Sequence, residues 1–178
     1  AVEPFEHYTW RRRHHVAWRL AKENRVLWIA PPIPSVGLIF PTHYNLKQYY
    51  SRKTFFDLGR LKHQGRNLWV YCPVQPLPTW HRIPIIARFN KRLVLWDLRR
   101  VAKRLGIKKP ILWLYKNRCD YEYFGLFNEK LTIYDSYDKQ TAAIGFDQGS
   151  EWASSIIAWE RRAMLKADIV FSVSKGLY

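Results

Sequence analysis

The sequence predicts an α/β fold in which a parallel sheet carries helices on both faces. Three observations predict it. Apolar runs of four or five residues recur without alternation, the mark of strands buried on both faces. Each run ends at a loop signal, and stretches with helical apolar spacing lie between the runs. Helices alternating with buried strands fit right-handed crossovers within one sheet.

In order along the chain, a first helix spans Trp10 to Lys22, with Val16, Ala17, Leu20 and Ala21 apolar and Asn24 closing it. The strand Val26–Ala30 runs into Pro31-Pro32, and Leu68–Cys72 runs into Pro73. Between them, Pro31 to Leu68 shows little pattern beyond a possible short helix at Leu46–Tyr50. A long helix covers Ile85 to Leu105, and Gly106 stops it. Its apolar face is expected from Ile86, Phe89, Leu93, Trp96 and Val101. Arg88, Arg92, Arg99 and Lys103, spaced 4, 7 and 4 apart, make a second, basic face. Strands follow at Ile111–Tyr115, Leu131–Tyr134 and Ile169–Phe171. A third helix, Glu151–Lys166, takes Ser150 as its N-cap and an apolar stripe of Trp152, Ile156, Ala163 and Ala167. Glu160 falls on that stripe, so its carboxylate must be paired or reach the helix edge, a structural role.

At 178 residues the expectation is one domain with a sizeable core. Aromatics make up 16% of the chain, which argues against a disordered basic tail. Cys72 and Cys119 have no ligand-type spacing and read as thiols in a reducing cytosol. His14 and His15 are adjacent and point apart on a helix, so no metal site is expected there. Val26 to Leu46 runs 21 residues without a formal charge, yet four prolines exclude a membrane-spanning helix.

Charge is uneven. Lys and Arg exceed Asp and Glu by 24 to 6 in residues 1–120, or +18, while residues 121–178 hold 6 against 8, or −2. Such asymmetry points to an anionic partner for the first part, either nucleic acid or an acidic membrane surface.

Ligands of open parallel sheets bind beyond the carboxyl ends of the strands. That rule selects Lys116, Asn117 and Arg118, then Asp135 and Asp138, then Ser172, Ser174 and Lys175. The chain has no glycine-rich phosphate loop and no nucleophile elbow. A carboxylate at a strand end can serve as a general base, or can merely turn the chain.

The strand Leu131-Thr-Ile-Tyr-Asp135 with Asp138, followed by Glu160-Arg-Arg-Ala-Met-Leu-Lys-Ala167-Asp168-Ile-Val-Phe-Ser172-Val-Ser174-Lys-Gly-Leu177, resembles the amino-terminal half of GT-B glycosyltransferases that build bacterial surface polysaccharides. Trp10-Arg-Arg-Arg13-His14-His15-Val-Ala17 and Arg25-Val-Leu-Trp-Ile-Ala-Pro-Pro32 are similar to that family's first helix and second strand. The resemblance implies a Rossmann-like domain, half of a GT-B fold. It implies transfer of a sugar from a nucleotide-sugar donor to a lipid-linked glycan acceptor, without metal or cofactor. Asp138 is then the first choice for the base and Asp135 the second. Arg13, His15, Lys116, Asn117, Arg118, Ser174 and Lys175 would contact substrate, and Arg88, Arg92, Arg99 and Lys103 an anionic membrane. The location implied is peripheral, on the inner face of the cytoplasmic membrane. Residues 1–178 would be a fragment lacking the family's first strand and its donor-binding carboxy-terminal domain, and inactive as isolated. The competing reading is a basic nucleic-acid-binding α/β module, in which basic and aromatic side chains neutralise phosphates and stack bases.

Overall fold

The computed structural model describes residues 10–30, 33–34, 59–75, 77, 83–115, 120–136 and 151–172, and these hold eight strands and three α-helices, with five strands between the first helix and the second. They are α1 (Arg12–Leu20), β1 (Val26–Ile29), β2 (Ile33–Pro34), β3 (Leu61–Gly65), β4 (Leu68–Tyr71), β5 (Val74–Gln75), α2 (Pro84–Arg104), β6 (Ile111–Tyr115), β7 (Leu131–Ser136), α3 (Glu151–Lys166) and β8 (Ile169–Ser172). The five apolar runs are all strands and the three periodic stretches are all helices. The segment Leu46–Tyr50 and the cap Ser150 lie outside the described residues.

The chain divides into two compact units, Ala1–Ile107 and Lys108–Tyr178. Where one continuous parallel sheet was expected, the described strands form three ladders, β1-β4-β3, β2-β5 and β6-β7-β8.

In the first unit β1 pairs parallel to β4, and β3 pairs antiparallel to β4 through the turn at Arg66-Asn67. Sequence reading missed β3, because Leu-Lys-His-Gln-Gly offers no apolar run. The turn carries the signal instead: Gly65 has φ +101° and Arg66 φ +51°, a left-handed pair that suits the bend. Arg66 then folds back over the Trp18 ring at 4.6 Å and donates to the Trp18 carbonyl at 3.1 Å. Pro31-Pro32 and Pro73 do not end the pairing either. Beyond them the two chains meet again, Ile33 opposite Val74.

The core of this unit lies between α1 and one sheet face, where Ala17 and Ala21 pack on Trp28, Leu68 and Val70. His14 is fully buried, stacked on Trp28 at 5.0 Å. Its Nδ1 accepts the Arg11 N–H at 3.0 Å, satisfying a donor at the helix start. Both the backbone and the side-chain amide of Asn24 donate to the Leu20 carbonyl and close α1 as expected. Tyr71 follows Val70 and therefore faces the other side of the sheet. There its hydroxyl donates to Asp97 of α2, so this unit does carry helices on both faces.

At the end of α2, Ile107 N–H reaches the Ala102 carbonyl and Gly106 N–H the Lys103 carbonyl, both at 2.9 Å. That pair of bonds, with Gly106 at φ +65°, is a Schellman stop. The face α2 buries matches the expected one only in part: Val101 is buried and Ile86 and Leu93 are half-buried, but the aromatics are not. Asn90, Val94, Leu98 and Val101 are buried, while Phe89 and Trp96 are 48% and 63% exposed. The cause is Asn90, whose side-chain amide accepts from Leu77 N–H at 3.2 Å and donates to the Leu77 carbonyl at 3.0 Å. A polar residue so satisfied sits comfortably inside. It rotates the helix, and two aromatics end outside.

In the second unit β6, β7 and β8 form a parallel ladder, with Tyr115, Asp135 and Phe171 in register. Only β7, the central strand, is buried on both faces. The outer strands are half-exposed, with Ile111 49% and Phe171 42% accessible. Both Thr132 Oγ1 and Thr132 N donate to Asp168 Oδ2 at 2.7 Å, which fastens the α3–β8 turn to the start of β7. These bonds, the hydroxyl first, hold the Asp168 carboxyl below its ordinary range. An acid whose folded pKa lies below its unfolded value, about 3.9, adds stability above that pH and loses it as pH falls through the folded pKa. The stability these bonds add should therefore fade below about pH 4, and Asp168→Asn should remove that part of the pH dependence. Amide exchange in residues 131–136 against pH, in both proteins, measures it.

Candidate functional site

Parallel pairing brings the carboxyl ends of β6, β7 and β8 to one edge. Tyr115, Asp135, Ser136, Phe171 and Ser172 form that edge. The segments carrying Lys116, Asn117, Arg118, Asp138, Ser174 and Lys175 depart from the same three strand ends. Those six residues lie outside the described residues.

Alternation sorts the edge into two faces. Tyr134 and Ser136 turn toward α3, where both hydroxyls donate to Glu160 Oε1, at 3.4 and 3.3 Å. Glu160 thus ties α3 to the end of β7, which is the structural role its place on the apolar stripe implied. Trp113, Tyr115, Asp135 and Phe171 share the opposite face. The Trp113 ring lies 6.1 Å from Tyr115 and 5.5 Å from Phe171, centroid to centroid. Its indole N–H donates to Asp135 Oδ2 at 3.3 Å. Asp135 is fully buried. A carboxylate so placed fixes the indole and leaves no surface to meet a substrate hydroxyl. Among the described residues, an aromatic platform anchored by a buried carboxylate is the chemical content of this edge.

The other candidates are spread over the first unit. Arg13 is buried and His15 is exposed on α1, two residues apart and therefore on different sides. Arg88, Arg92, Arg99 and Lys103 all stand exposed on α2, as the basic face requires. Near the carboxyl end of β4 a small pocket is lined by Gly59, Leu61, Tyr71, Arg100, Val101 and Arg104. Arg100 Nη2 meets Asp97 Oδ1 at 3.0 Å in an i,i+3 ion pair at the surface, with the Arg100 side chain largely exposed. Burial first, and then Asp97, pushes the Tyr71 phenol above its ordinary range.

Sequence reasoning missed three residues of note. Trp113 as the partner of Asp135 follows from strand register, which a single sequence does not reveal. Phe89 and Trp96 as surface groups depended on Asn90.

Among the described residues, no group of three or more His, Cys, Asp or Glu side chains is placed to hold a metal ion. No helix among them is long and apolar enough to cross a membrane. No known protein family matches the chain, and no curated protein or solved structure matches it.

Proposed function

We propose that the chain is the acceptor-side half of a glycosyltransferase, which holds a lipid-linked glycan at a membrane surface while a donor-binding domain presents a nucleotide sugar. The observation that carries this reading is the parallel β6-β7-β8 ladder. Its carboxyl edge gathers the ends from which Lys116–Arg118, Asp138 and Ser174–Lys175 depart. An edge of this kind is where open α/β sheets take their ligands. The platform of Trp113, Tyr115 and Phe171 suits a sugar ring, whose apolar face packs on aromatics. The sequence likeness from Leu131 to Leu177 supplies the reaction class. In this reading Asp138 is the base that takes the proton of the acceptor hydroxyl. Asp135 is a positioning residue that acts through Trp113.

The test uses the 178-residue chain. Its retention is measured on micelles carrying a lipid-linked oligosaccharide, on micelles carrying the same lipid without sugar, and on single- and double-stranded oligonucleotides. Retention that depends on the sugar is expected. Tight, salt-sensitive binding to oligonucleotides without sugar dependence contradicts the reading and favours the nucleic-acid module.

A further inference from the structure

We infer that the outer face of α2 is an interfacial docking surface that inserts Ile85, Phe89 and Trp96 into an anionic lipid bilayer. The inference deepens the membrane part of the function proposed above. It changes the contact from electrostatic adsorption by four cations to insertion of an apolar lane beside them.

The exposed apolar side chains of α2 are not scattered. At 100° per residue, Ile85, Phe89 and Trp96 fall within about 40° of one another around the helix. Arg88, Arg92 and Arg99 fill an adjoining lane of about 40°, and Lys103 continues the apolar lane toward the carboxyl end. Both lanes lie opposite Asn90, Val94, Leu98 and Val101, the residues α2 buries against its own unit. Ile85 is 77% exposed and Trp96 63%, so hydrocarbon and indole stand in water over much of the helix length. The Arg100 guanidinium lies 5.8 Å from the Trp96 ring centre, so a cation accompanies the ring outward.

A helix lying in a bilayer plane presents apolar groups to the acyl boundary and cations to the headgroups, side by side on one face. The lanes of α2 meet that requirement. Charge selects the sign of the surface, since residues 1–120 carry +18. Nucleic acid fits the lanes less well. Phe89 and Trp96 are seven residues apart, about 10.5 Å along the axis, which is not the spacing of consecutive stacked bases. Ile85, the most exposed of the three, offers a base nothing to stack on.

Flotation of the whole chain with phosphatidylcholine vesicles, with and without phosphatidylglycerol, tests the inference. Wild type should float with the anionic vesicles. Phe89→Ala/Trp96→Ala should weaken partitioning about tenfold or more while keeping the anionic preference, each lost aromatic removing buried apolar area. Arg88→Glu/Arg92→Glu should abolish the preference, as each cation near the surface contributes about fivefold. Binding that survives high salt should vanish in the aromatic variant alone. Circular dichroism checks that each variant folds, and Ile85→Ser serves should the double variant not fold. An aromatic variant that floats like wild type overturns the inference, and so does equal binding to neutral vesicles. Salt-sensitive oligonucleotide binding without vesicle binding overturns it too. Vesicle binding without sugar-dependent retention would remove the acceptor reading and leave this surface standing. Retention without vesicle binding would do the reverse.

Discussion

Trp28→Ala should lower the stability of the first unit by about 3–5 kcal/mol, the range for removing a large aromatic from a packed core. Trp28 is 5% exposed and central to the packing of α1 on the sheet. Removing the indole opens a cavity bounded by Ala17, Ala21, Leu68 and Val70, and small alanines cannot fill it. It also takes away the ring on which buried His14 stacks, and with it the support for the bond that closes the start of α1. Trp28→Phe keeps an aromatic surface for His14 and should cost less than half as much. Urea unfolding read by amide exchange in residues 12–30 isolates this unit from the other. Equal losses for the two variants would mean that the stack contributes nothing.

Under the function proposed above, Asp138→Asn should lower the transfer rate about 10²–10⁴-fold, the usual contribution of a positioned general base. Asp135→Asn should behave differently. Asp135 is fully buried and its carboxylate receives the Trp113 indole N–H; an amide there accepts that bond more weakly and brings an NH2 donor into the buried position, which loosens the ring. Acceptor affinity should fall while the chemical step stays largely intact, because the platform and not the base is disturbed. The pH profile separates the two roles. Loss of a base removes the acid limb of the rate, whereas loss of a positioning group leaves the limb in place.

The elements were legible in the sequence and their faces less so. Val26–Ala30, Leu68–Cys72 and the three later runs announce strands through their β-branched and aromatic side chains, although β6 and β8 lie at the edges of their ladder and are half-exposed. Strand β3 is also an edge strand, but Leu-Lys-His-Gln-Gly carries no such run. Asn24 and Gly106 mark helix ends by chemistry that is local, and both do so in the structure. The face of α2 is not local. At Phe89 and Trp96 it turns on bonds between Asn90 and the backbone of Leu77, thirteen residues away, which hydropathy does not reveal. Within the candidate site, Asp135 stands out as a carboxylate at a strand end and Glu160 as a charge on an apolar stripe. Their partners Trp113, Tyr134 and Ser136 come from register and from the crossover of α3, and neither is written in spacing.

The central claim is sugar transfer with the acceptor held by this chain and deprotonated by Asp138. On the proposed reading, it is tested most directly in a polypeptide that would join this chain to a donor-binding domain. Labelled nucleotide sugars are supplied with a membrane lipid extract and a chelator, and wild type is compared with Asp138→Asn and Asp135→Asn. The account predicts label in the lipid fraction for wild type, a loss of about 10²–10⁴-fold for Asp138→Asn and a weakened acceptor affinity for Asp135→Asn. Full-rate transfer by Asp138→Asn, or no transfer from any nucleotide sugar, contradicts it.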